Sequence, residues 1–286
     1  MKTLYWSIRR EFWENRFLYI VPLVVTGIVL FATLIHLFRL PHTIRNTPIT
    51  DPAKYHLAVV TPFSMAPAPI IFITLLVGMF YALDALYGER RDRSILFWKS
   101  LPVSDLTTVL SKAAVPLVVL PIIAFILGQA AQIILLILGT MILEGSGVGA
   151  AVLCREFRLF QEPFVMFYGL TIFMLWWAPI YAWLMLVSAW AKRVPLLWAV
   201  LPPLAIAGVE KILFNTKFFM NMIHYRFGGA MREGFINTNR NHGVIDQISG
   251  LDPANFLTTP GLWVGLIFAG AFLAIAVRLR RYREPI

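Results

Sequence analysis

Cysteine is nearly absent: Cys154 stands alone among 286 residues, which excludes an internal disulfide and a multi-cysteine metal site. Charged residues are scarce too, at 14%, against about a quarter in a typical soluble domain. Catalytic signatures are missing as well. The chain has no G-x-x-x-x-G-K followed by Ser or Thr to cradle nucleotide phosphates, and no H-E-x-x-H zinc motif. Gly145-Ser146-Gly147 is no serine-protease motif, because Glu144 stands where a glycine is needed and no paired nucleophile and base accompanies it. No internal repeat of about 20 to 50 residues occurs. These absences point away from an enzyme.

What fills the chain is apolar. Hydrophobic residues make up 59% and the mean hydropathy is +0.73, the composition of an all-α integral membrane protein. The net charge of +10 then reports topology and contact with anionic lipid rather than nucleic acid.

In residues 1–16, Leu4, Tyr5, Ile8 and Phe12 share one helix face, and Lys2, Arg9, Arg10 and Glu14 lie mostly on the other. This predicts an amphipathic helix at the membrane surface. Six spans are expected, over 17–40, 62–87, 112–143, 164–191, 195–214 and 260–277. The first runs too long for a cleaved signal peptide and is expected to end at Arg39-Leu40-Pro41, with a loop after it. Prolines 62, 67 and 69 predict an irregular start to the second. The third corresponds to roughly 45 Å of helix against a hydrocarbon core of about 30 Å. It must therefore tilt or bend, and Pro116 and Pro121 are the expected kink sites.

With six spans both termini share one side. That side carries 15 Lys and Arg residues and the other 10, so the positive-inside rule predicts cytosolic termini. Residues 215–259 would then form an extracytoplasmic segment between spans five and six.

The stretch 88–104 joins spans two and three on the cytosolic side. Ile95, Leu96, Trp98 and Leu101 suit one side of a short helix that Pro102 stops, and Ser104 or Asp105 can cap the next. The plainer reading is a basic anchor touching lipid headgroups, but Glu89, Asp92 and Asp105 inside the cluster oppose contact with anionic lipid. On these residues alone a docking surface and a lipid anchor both stand.

Glu89-Arg90 after a span, Ser94-Ile95-Leu96, Ser100-Leu101-Pro102-Val103-Ser104 and then Lys112 opening a long span resemble the permease subunits of type-2 ATP-binding-cassette (ABC) exporters. The surface helix, six spans and outer segment extend the resemblance over the whole chain. Family members commonly carry Gly where Arg93 stands, which marks a local departure. The resemblance implies a coupling helix over 88–104 that contacts a separate cytosolic ABC ATPase through Glu89, Arg90, Arg91, Arg93, Leu96, Trp98, Lys99 and Pro102, with the Ala191 to Pro195 turn as a minor second contact. It also implies a second permease copy or homologue, a plasma (bacterial inner) membrane location, no cofactor on this chain, and ATP and Mg on the partner subunit. A membrane anchor that recruits a cytosolic protein without transport is the rival.

Polar groups inside spans are costly and mark candidate sites. Gln129 and Gln132, at i and i+3, and the mid-span pair Trp176 and Trp177 are candidate pathway residues, with packing between helices the preferred explanation of each. Asp84 lies within reach of Arg90 or Arg91 for a structural salt bridge. Glu210 and Lys211 mark an outer gate or the water boundary. Met220, Met222, His224 and Met231 have the softness to bind Cu(I), although one histidine among common methionines supports no metal site.

Overall fold

The computed structural model describes residues 2–46, 61–95, 97, 103–145, 161–235 and 250–282. Helix α1 is Lys2–Glu14 and α2 is Phe17–Asn46. Two short pieces flank the regular part of the second span: α3, Thr61–Ser64, precedes α4, Pro67–Asp84, and α5, Tyr87–Arg91, follows it. Helix α6, Asp105–Ala114, passes through a π-helical turn, Val115–Val119, into α7, Leu120–Gly145. Then come α8, Gln161–Trp190; α9, Pro195–Phe214; α10, Phe218–Gly234; α11, Pro253–Thr258; and α12, Pro260–Tyr282. Among the described residues the only β-type pairing is the bridge from Phe235 to Leu251.

Six helical stretches are long and apolar enough to cross a membrane, so the chain is a multi-pass membrane protein: Phe17–His42, Thr61–Arg91, Asp105–Gly145, Gln161–Trp190, Pro195–Phe214 and Pro260–Tyr282. The irregular start of the second span appears as the break between α3 and α4, with Pro67 at the first helical position, where its missing N–H costs nothing. Of the two expected kink sites, Pro116 lies in the π-helical turn and Pro121 in the first turn of α7. Ser104 caps α6 by accepting a hydrogen bond from the Thr107 N–H at 3.1 Å.

One break expected from the sequence is absent. Helix α2 does not stop at Pro41 but runs on to Asn46. Leu37 and Leu40 are fully buried beside Leu135, Leu136 and Leu143 of α7, and this packing outweighs the local preference for a break.

Helix α8 is the central element. Trp176, Tyr181, Met185 and Ala189 belong to one core with Leu75 and Leu86 from the second span, Val109 of α6, and Leu262 and Ala276 of α12. Ala178 and Ala182, one turn apart, meet Ala269 of α12, the small-residue contact that lets membrane helices approach closely. By contrast α9 buries only Ala199 and Ala207.

Candidate functional site

At the end of the bundle that carries both chain termini, a charged cluster lies inside the protein. Glu11 of α1 is fully buried, and Lys112 of α6 is 3% exposed. Lys112 Nζ donates to Glu11 at 3.0 Å, and the Tyr81 hydroxyl of α4 donates to the same carboxylate oxygen at 2.7 Å. Arg10 donates to the other oxygen at 2.9 Å. Glu89 of α5 faces Lys112 at 3.3 Å and accepts from Arg280 of α12 at 3.2 Å, while Arg280 also pairs with Asp105. Three buried or part-buried carboxylates meet three cations, with the exposed Glu14 also reaching Arg10 at 3.4 Å, so the buried part of the cluster is close to neutral. That balance allows these charges to leave water. Burial pushes the Glu11 carboxyl up, but the charge of Lys112 and the hydrogen bonds from Lys112, Tyr81 and Arg10 outweigh it and hold the group below its ordinary value.

Beside this cluster α5 and α8 cap each other. The chain breaks at Ala85-Leu86, leaving N–H groups at the start of α5 without helical partners. Ser188 Oγ of α8, itself buried, accepts from Leu86 N–H at 3.0 Å and Tyr87 N–H at 2.9 Å. In return the Arg90 guanidinium donates to the Ala189 carbonyl at 2.7 Å and the Ala191 carbonyl at 3.1 Å, at the end of α8. The base of the 88–104 stretch and the Ala191 to Pro195 turn are thus bonded to each other.

The arginines of this stretch have different places. Arg90 is buried. Arg91 is exposed, pairs with Asp92 at 2.9 Å and Asp84 at 3.9 Å, and its guanidinium lies over the Tyr87 ring. Arg93 is exposed with φ 58°. That left-handed backbone is the one glycine favours, and it costs an L residue about 1–2 kcal/mol. Glu89 is buried too, and therefore holds the base of the stretch rather than its surface. Leu96, Trp98, Lys99 and Pro102 lie outside the described residues, as does Ser146.

The remaining candidates sit toward the opposite end. Gln129 donates to Gln132 at 3.1 Å and to Met166 Sδ at 3.1 Å. Gln132 donates to Glu162 of α8 at 3.1 Å, and Ser64 reaches the other oxygen of Glu162 at 3.3 Å. The pair therefore ties α7 to α8 and α3. Trp176 is fully buried, and both indoles donate to α10, Trp176 to the Tyr225 carbonyl and Trp177 to that of Phe227, each at 3.4 Å. Arg226 lies over the Trp176 ring, 4.7 Å from its centroid, and donates to the Trp176 and Gly261 carbonyls at 3.1 and 2.8 Å. Burial pushes the Arg226 guanidinium down, though it stays a cation. Glu210 accepts from the Phe218 and Phe219 N–H groups at 2.7 and 2.9 Å, capping α10 with a side chain from α9, while Lys211 beside it is exposed. Among the described residues no group of three His, Cys, Asp or Glu side chains is placed to hold a metal ion.

Sequence reasoning missed Glu11, Tyr81, Lys112 and Arg280 as one unit. A signal existed for Glu11, three residues after Ile8 and seven after Leu4: a carboxylate on the apolar stripe of an amphipathic helix needs a buried cation. No protein family, curated protein sequence or solved structure matches this chain.

Proposed function

We propose that this chain is the membrane-spanning permease subunit of an ATP-driven exporter of the ABC type. Two permease copies, or this chain and a homologue, enclose the pathway in a plasma (bacterial inner) membrane with cytosolic termini. Separate ABC ATPase subunits bind ATP and Mg and drive the permease through residues 88–104. The chain is not catalytic alone.

The observation that carries this reading is the anchoring of α5. Its N–H groups are held by Ser188, its Arg90 holds the end of α8, and its Glu89 joins Lys112 of α6 and Arg280 of α12. Force applied to the exposed tip at Arg91, Asp92 and Arg93 therefore reaches the ends of four spans through buried polar contacts. A partner that binds one arrangement of those ends more tightly shifts the equilibrium by that difference in affinity. Glu89 and Arg90 act in this scheme as positioning residues, while Arg91, Arg93, Trp98 and Lys99 make the contact.

The test is coexpression with candidate cytosolic ATPases, purification, and ATP hydrolysis measured over a substrate panel. Arg93→Glu and Trp98→Ala are expected to abolish stimulated hydrolysis while membrane insertion stays normal. Full stimulation in both variants would refute the coupling role. Copurification only with a partner lacking a P-loop would favour the anchor reading instead.

A further inference from the structure

Helix α10 carries a groove that none of the roles above uses. The cavity, of about 300 Å³, is lined by Asn221, His224, Tyr225, Gly228, Gly229 and Arg232. These positions recur every three or four residues, so they form one stripe along α10, about 16 Å long at the helical rise of 1.5 Å per residue. The two glycines divide the work. A Cβ on Gly229 would lie 2.6 Å from Trp176, so this glycine lets α10 settle onto α8; a Cβ on Gly228 would meet nothing within 4 Å, because it opens into the groove.

The lining is rich in donors. Asn221, His224 and Arg232 are exposed, and no described contact satisfies their side chains. Glu233, the neighbouring carboxylate, is taken by the Tyr225 hydroxyl at 3.3 Å and the Asn255 amide at 3.5 Å. Among the described residues no carboxylate lines the cavity, and Arg226, one residue from Tyr225, is met by carbonyls and an indole ring rather than an acid. Arg226 and Arg232 against Glu233 leave the charge beside the groove positive.

Depth narrows the ligand. Trp176 lies midway along α8, fourteen residues from Trp190 and fifteen from Gln161, and α10 runs past it to Gly234, which packs on Ile172 on the side away from the chain termini. From that end of the groove the long side chain of Arg232 can reach headgroups at the polar boundary. A cavity at the small end of the ligand-pocket range, about 300–1,000 Å³, suits a headgroup better than a whole amphiphile.

We infer that the α10 groove is a binding site for a phosphate-bearing anionic group, with Arg232 as the charge partner and Asn221 and His224 as hydrogen-bonding partners. The group comes either from a membrane lipid or from a phosphate compound in the outer water. Purified full-length protein would be titrated with short-chain phosphatidylglycerol and phosphatidylcholine, with bound lipid counted by native mass spectrometry, and with inorganic phosphate as competitor.

The site predicts retention of phosphatidylglycerol over phosphatidylcholine, and a loss of about tenfold in that affinity for Arg232→Gln, the worth of one charge-assisted contact. Gly228→Leu, which fills the groove without touching the Trp176 contact, is expected to lose binding while keeping the helical circular dichroism and elution volume of wild type. Displacement by inorganic phosphate upholds the site and assigns it to a soluble phosphate compound; resistance to it upholds the site and assigns it to the lipid headgroup. Equal retention of both lipids, or phosphatidylglycerol affinity unchanged in both variants, would overturn the inference.

Discussion

The two ends of the bundle treat buried charge in opposite ways. At the termini end, Glu11, Glu89 and Asp105 meet Arg10, Lys112 and Arg280 in a balanced cluster spanning α1, α5, α6 and α12. At the other end, Arg226 is held by two carbonyls and the Trp176 ring, with no carboxylate in contact among the described residues. A balanced cluster, once buried, is costly to unbalance, because removing one partner strands a charge away from water. An arginine held by dipoles and a π face is a weaker clamp. One end is built to keep its helix ends together, and the other keeps positive charge available.

The sharpest way to break this contrast is Lys112→Met. It leaves Glu11 and Glu89 buried without their shared cation, and the expected loss is about 3–5 kcal/mol, read as a fall in the thermal midpoint of the purified protein. A loss as small as that of an exposed pair would show that the cluster admits water. Arg226→Met tests the other end. It strands two carbonyls and is expected to cost about 1–3 kcal/mol; if it costs as much as Lys112→Met, the two ends do not differ in the way described.

Backbone strain at the termini end gives a smaller, opposite effect. Val194, a β-branched residue, has φ 45° in the turn after α8, a conformation that costs an L residue about 1–2 kcal/mol. Val194→Gly is therefore expected to raise stability by about 1 kcal/mol, and Arg93→Gly to do so by a similar amount. A fall in the midpoint for both would mean that their side chains contribute more than the strain they impose.

The smallest effect is set by pH. The Glu11 carboxyl in the folded protein titrates below its ordinary value of 4.5. Its pairing therefore stabilises the fold above that pH, and the contribution is lost as pH falls through the lower folded value. Since other carboxylates titrate nearby, the quantity to measure is the stability gap between wild type and Glu11→Gln. It should shrink below pH 4.5, and a constant gap on acidification would contradict the pairing.

Much of the fold was readable because it depends on local chemistry. Apolar runs mark the spans, Ser104 marks the start of α6, and Pro116 lies in the π turn. The Asp84 to Arg91 pair was also within reach, being seven residues apart. Pro41 misled because packing by Leu37 and Leu40 is not visible to a local rule. The ionic cluster was hidden for a similar reason: Glu11 and Lys112 are 101 residues apart, and each alone reads as a solvated charge at a span end. The role of Glu210 required knowing that α10 turns back over the end of α9.

The π turn at Val115–Val119 has a consequence for how the two ends communicate. A π turn takes one more residue than the same length of α-helix, which offsets the winding beyond it by about 100°. Lys112 and Gln132 therefore sit on one continuous rod whose two halves are out of phase, like gear teeth set one notch apart. Tightening that turn into ordinary α-helix would swing the Gln129 and Gln132 face around the rod axis while Lys112 stayed in place.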